Sequence, residues 1–182
     1  MRNQRFLAIY RVPFLISLTL SIVLIAVSLA RDPWSIVLII LGALLGTFFL
    51  DLEYLIYAFF LEPKEDFSKT LAGFIKDRDY PNAAQYIEIN KDKVKDKTLN
   101  SALFQVVMAF FALFVVSSNR QFFIRALVVS ILANSIYRFF EAKYKGQLNE
   151  WFWALKESPS SQGVNLYTIF IILVLLICIY IF

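Results

Sequence analysis

Residues 41–63 read LGALLGTFFLDLEYLIYAFFLEP, an apolar run of membrane-crossing length with two carboxylates, Asp51 and Glu53, near its middle. About 20 mostly apolar residues cross a hydrocarbon core. An ionisable side chain inside such a run has a partner or a task by default. The rest of the sequence has to say which.

The surrounding chain shares the character of that stretch. Of its 182 residues, 59% are hydrophobic and 17% aromatic, with a mean hydropathy of +0.65, whereas soluble domains hold about 45–50% apolar residues. Five runs reach spanning length: residues 12–30, 34–61, 101–117, 121–140 and 164–182. The runs are continuous rather than alternating, which points away from a barrel. The sequence therefore predicts an all-α, polytopic membrane protein with five transmembrane helices in a single domain. The first run has a basic start (Arg2, Arg5, Arg11) but is longer than a signal-peptide core, and it reads as a retained helix. Cys178 is the one cysteine and histidine is absent, so the commonest metal ligand and general base are missing.

Lys and Arg set the expected orientation. With the N-terminus inside, fifteen of the eighteen lie on the inner side, two (Arg31 and Arg120) outside, and Arg125 within the fourth run. This asymmetry predicts N-inside, C-outside in a prokaryotic plasma (inner) membrane. The basic balance is then a topology signal, and no nucleic-acid module accompanies it. The short connections Arg31-Asp32-Pro33 and Ser118-Asn119-Arg120 imply antiparallel hairpins.

Two polar segments remain on the inner side. In residues 62–100, Phe67, Leu71, Phe74 and Ile75 recur at helical spacing, and Asp79 with Pro81 reads as a cap opening a second helix. The segment is thus a cytoplasmic helical insertion, with the alternating charges of Lys91–Lys97 as solvated surface. Residues 148–156 hold Trp151-Phe152-Trp153 and read as an interfacial aromatic helix. Ser158–Gln162 reads as a flexible entry to the last run.

Depth arithmetic gathers the polar residues of the spans. At 1.5 Å per residue, Asp51 lies about 25 Å along from Trp34, while Asn134 and Arg138 lie about 20 and 26 Å down the fourth run. Asn100 and Gln105 open the third run at the same level, and Tyr54 and Tyr57 flank the acids. Asp51 shares a helix face with Tyr54, and Glu53 with Tyr57; two residues turn a helix by about 200°, so the acids diverge. Asp51 is expected inward, near Thr47, and Glu53 toward water or headgroups. Three readings stay open: a structural ion pair with Arg138, a ligand or metal pocket walled by Asp51, Asn134 and Asn100 or Gln105, or interfacial snorkelling. Arg125 is expected to snorkel outward. Gly42-Ala43-Leu44-Leu45-Gly46 is a GxxxG, which permits close helix approach without naming the partner.

Gly46 followed by Leu50-Asp51-Leu52-Glu53-Tyr54 resembles the motif of bacterial and archaeal membrane-bound metal-dependent hydrolases, a small residue and then Leu-Pro-Asp-(Leu/Ile)-Asp-His. Asp51 matches the first aspartate and Glu53 stands for the second. Tyr54 occupies the histidine position and Leu50 that of the proline. The resemblance covers residues 40–145 and implies further site positions at Asn100 and at Asn134 with Tyr137. With the histidines gone, this set could hold Mg²⁺ or Ca²⁺ only weakly and suits Zn²⁺ poorly.

The resulting expectation is a non-catalytic interaction or assembly subunit related to those hydrolases, with the bilayer and a second copy or a membrane-complex partner as contacts. The alternative is a divalent-metal-dependent hydrolase acting on a lipid or headgroup through Asp51 and Glu53. A small transporter or channel ranks third.

Overall fold

The computed structural model describes residues 2–91, 94, 98–118, 120–155 and 159–182, with the backbone alone for residues 2–9. Most of the charged run after Lys91, Asn119 of the second short connection, Lys156 and Ser158 lie outside the described residues. The described residues form helices and no strand. In order these are α1 (Arg2–Ser28), α2 (Pro33–Phe49), α3 (Leu52–Ile56), a π-helical turn (Tyr57–Leu61), α4 (Asp66–Lys76), α5 (Tyr80–Asn90), α6 (Ala102–Ser118), α7 (Phe122–Tyr144), α8 (Leu148–Trp151) and α9 (Ser161–Ile181).

Three helical stretches are long and apolar enough to cross a membrane: Tyr10–Ser28, Phe122–Tyr144 and Ser161–Ile181. Pro33–Phe49 and Leu52–Leu61 pass that test only together, across a bend, which gives a fourth. Helix α6 is apolar but has 17 residues, short of the roughly 20 that a hydrocarbon core asks for. Helix α9 turns Leu166, Ile169, Leu173 and Leu176 outward along one stripe.

The continuous span expected over residues 34–61 is broken. Helix α2 stops at Phe49, and the hydrogen bonding changes register at Asp51, where the Tyr54 amide bonds the Asp51 carbonyl at 3.2 Å, an i to i+3 bond. Past Ile56 it loosens again, the Glu62 amide bonding the Tyr57 carbonyl five residues back at 2.9 Å. Tight and wide turns in one short run re-aim successive side chains, so the regular face arithmetic for 51–57 does not hold.

The chain divides into two compact units: Met1–Val12 with Asp51–Lys97, and Pro13–Leu50 with Thr98–Phe182. In the first unit, Phe67 and Leu71 of α4 are buried with Ala83 and Ile87 of α5, and Tyr54 and Ala58 join the same core. Tyr57, Phe67, Phe74 and Tyr86 stack at ring separations of 5.4–6.1 Å. Each fully buried Phe or Leu contributes about 1.5–3 kcal/mol when its alternative is water. The helical insertion is thus present as expected, but its core reaches back to the end of the broken apolar run. Pro81 opens α5 as expected, whereas the Asp79 carboxylate binds Asn82 Nδ2 at 2.6 Å rather than a backbone amide.

In the second unit, α2 lies along α7, and α6 and α9 pack with each other and with α7. Asp32 caps α2 by accepting the Ser35 amide at 2.9 Å, and Ser160 caps α9 by accepting the Gly163 amide at 3.2 Å. Those bonds hold the Asp32 carboxyl below its ordinary value. In the aromatic segment two of the three rings turn into the protein. Its helix is a single turn, and Trp151 and Phe152 are buried against Phe139 and Val164 while Trp153 is exposed. Two of the three rings fill the core because Phe139 and Tyr167 offer them edges to pack on.

Candidate functional site

Asp51 sits in the turn between α2 and α3, 9% exposed, and belongs to the first unit. The hydroxyl of Tyr10, on the first part of α1, donates to Asp51 Oδ2 at 2.7 Å. A phenol–carboxylate bond of that length is charge-assisted and holds the carboxylate in one orientation. Glu53, expected to face water, is 6% exposed, and Tyr54 is 3% exposed among apolar neighbours. Tyr54 therefore occupies the histidine position of the resemblance as a core residue. Among the described residues no group of three or more Cys, Asp or Glu side chains is placed to hold a metal ion.

A divalent ion needs several oxygens converging on one point, with room for water. Here one Asp51 oxygen is already engaged by a hydroxyl donor.

Asn100, Gln105, Asn134 and Arg138, the other expected site residues, lie in the second unit. Asn100 Nδ2 donates to the Leu50 carbonyl at 3.3 Å. Gln105 is fully buried and its Oε1 accepts from the Tyr167 hydroxyl at 2.5 Å. Arg138 lies 3.3 Å from Glu141, which also pairs with Lys145 at 2.9 Å.

Asn134 belongs to a ladder that the sequence reading missed. Its Nδ2 donates to Ser17 Oγ at 3.1 Å and to the Ser130 carbonyl at 2.9 Å. Ser17 Oγ lies 2.7 Å from Thr47 Oγ1, and Ser130 Oγ donates to the Ala43 carbonyl at 2.6 Å. Four polar side chains from α1, α2 and α7 so hydrogen-bond with one another in the bundle interior, where an unpaired polar group is costly.

The GxxxG motif makes this ladder possible, and its partner is α7. A Cβ on Gly42 would come within 2.4 Å of the Phe123 carbonyl oxygen, and one on Gly46 within 2.6 Å of Ser130 Cβ and Oγ. Only glycines let the two backbones approach so far. Ala126, Ser130 and Asn134 recur every fourth residue on the facing side of α7. That small-polar spacing, read against Gly42 and Gly46, was the available signal.

The guanidinium of Arg125 donates to the main-chain oxygens of Ile181 and Phe182 and lies 4.5 Å from the Phe182 ring centroid. It fastens the last turn of α9 to α7.

These features define a class: an all-helical bundle, with several helices apolar enough to cross a membrane, held by a glycine-mediated contact and a neutral polar ladder. Comparison with family models, curated proteins and solved structures found no match.

Proposed function

We propose that the chain is a five-span integral protein of a prokaryotic inner membrane, N-terminus inside, acting as a non-catalytic interaction or assembly subunit. In this reading α6, although short, is the third span, and the broken pair α2 and α3 is the second. A distant relation to membrane metal-dependent hydrolases is part of the proposal, with the ancestral site turned to structural use. The observation that carries it is the Tyr10–Asp51 bond: the acid matching the first aspartate of that motif is a buried acceptor for a neutral phenol.

A partner would be met at the helical insertion, where Tyr80 and Ile89 are 58% and 67% exposed. The test replaces each in turn with a photo-crosslinking amino acid in cells. The expected result is a discrete adduct, with a second copy or another membrane protein, that is lost when the crosslinker sits at exposed Lys69 instead. In parallel, protein reconstituted in phosphatidylglycerol vesicles is assayed for headgroup release with Mg²⁺ or Ca²⁺. Divalent-dependent hydrolysis abolished by Asp51→Asn would overturn the proposal in favour of a hydrolase.

A further inference from the structure

The run that ends the broken apolar stretch is built inside out. Asp51, Glu53 and Tyr54 are buried in the first unit, with Ala58 in the same core. The exposed side chains that follow are Leu52, Ile56, Phe59, Phe60 and Leu61, every one of them apolar, and Phe60 is 80% exposed. Burying a side chain of this size gains about 1.5–3 kcal/mol over leaving it in water. A segment that hides its acids and shows its rings therefore fits a surrounding that is not water. The pattern stops sharply at Glu62: Glu62, Lys64, Glu65 and Asp66 are all exposed, as is Lys69 on α4.

The chain before this run says what covers it. Pro33–Phe49 and Leu52–Leu61 are long and apolar enough to cross a membrane only together, as a bent pair. Helix α2 itself turns Trp34, Val37, Leu41 and Leu45 outward. At 1.5 Å per residue, Phe60 lies about 39 Å along the chain from Trp34, whereas the hydrocarbon core is about 30 Å thick. A straight span would carry Phe59, Phe60 and Leu61 out into water. Their exposure is thus no consequence of spanning, and it suits a segment that turns along the membrane surface.

We propose that Leu52–Leu61 lies in the headgroup–acyl boundary of the inner leaflet, with Leu52, Ile56, Phe59 and Phe60 immersed and the charged residues from Glu62 onward in water. The partner of this face is the bilayer surface, engaged as an interfacial amphipathic helix engages it. The inference rests on the membrane reading above and adds that the helical insertion is fastened to the leaflet along this run.

Nitroxide labels report the depth. Cys178, the one cysteine, is replaced by Ala, and labels are attached singly through Phe60→Cys, Leu52→Cys, Lys69→Cys and Leu173→Cys, all at exposed positions. In vesicles of phosphatidylglycerol and phosphatidylcholine, oxygen reaches the acyl region and a nickel chelate stays in water. Power saturation with each reagent reads which one relaxes the label. The expected result is oxygen dominance at Phe60→Cys and Leu52→Cys, shallower than at Leu173→Cys, and nickel dominance at Lys69→Cys. Nickel dominance at Phe60→Cys and Leu52→Cys overturns the inference, as does a depth equal to that at Leu173→Cys. Low access to both reagents overturns it too, since a protein would then cover the face. Leu173→Cys on α9 separates the two readings: oxygen dominance there with nickel dominance at Phe60→Cys leaves the membrane reading standing and removes the surface contact alone.

Discussion

Gly46 and Ser130 approach so closely that a methyl group on the first would lie 2.6 Å from the Cβ and Oγ of the second. The contact brings Ser130 Oγ within 2.6 Å of the Ala43 carbonyl, where it donates a hydrogen bond. Gly46→Ala is therefore expected to push α2 from α7 and to break that bond together. Overpacking of this kind costs about 1–3 kcal/mol. Thermal unfolding in detergent measures it, with Gly73→Ala as the control. Nothing lies within 4 Å of a Cβ at Gly73, inside α4, so that change should be neutral or stabilise by up to about 1 kcal/mol.

The polar ladder can be separated from the packing. Ser130→Ala keeps the volume but removes the donor to the Ala43 carbonyl and a neighbour of Ser17. Interhelical hydrogen bonds in membrane proteins average about 0.6 kcal/mol and reach about 1.7 kcal/mol. The expected loss lies in that range. A cycle with Ser17→Ala should be non-additive, since the two hydroxyls share Asn134.

Tyr10→Phe tests the Asp51 bond without a change of shape. Hydrogen bonds to charged groups contribute about 1.5–3 kcal/mol. We expect Tyr10→Phe to destabilise by about that amount and Tyr10→Phe to cost much less once Asp51→Asn is present. Equal effects in both backgrounds would mean that the bond carries no net stability.

Asp32 provides the pH dependence. Its carboxyl is held below the ordinary value of 3.8 by the amide and hydroxyl of Ser35. A group whose folded pKa is depressed stabilises fully above its unfolded value, and that contribution fades as pH falls through the folded value. The melting-temperature difference between wild type and Asp32→Asn should thus be flat near neutrality and shrink in acid below that ordinary value. Asn keeps the cap and drops the charge, so Asp32→Ala should melt lower than Asp32→Asn at neutral pH.

Two helix ends make opposite predictions. Gly146 has a φ of 72° and Arg78 a φ of 56°, both closing helices with a bond from the next amide five residues back. A side chain at left-handed backbone costs about 1–2 kcal/mol. Gly146→Ala should destabilise by roughly that amount, whereas Arg78→Gly should stabilise. Melting curves of the two variants decide it.

Legibility in the sequence followed locality. The apolar runs gave α6, α7 and α9 within a few residues, whereas α1 begins at Arg2, well before its run; Phe67, Leu71 and Pro81 fell where their spacing put them. The break at Asp51 was hidden because its neighbours are apolar and helix-forming on both sides. The burial of two rings of the Trp-Phe-Trp segment was hidden because aromatic preference for a headgroup layer and for an aromatic core look alike in one dimension. The site residues were identified singly, but their partners Tyr10, Ser17 and Tyr167 were not, since each lies more than 40 residues from the side chain it serves.

The sequence by itself determined that the chain is helical, apolar along several lengths and supplied with glycines for one close contact. Those properties are sums over neighbours in the chain, and composition and period record them. Tertiary structure alone decided that Gly42 and Gly46 face α7, that Asp51 accepts from Tyr10, and that Arg125 holds Phe182. Each of these depends on the rotation of one helix against another, which packing geometry fixes and no local pattern encodes.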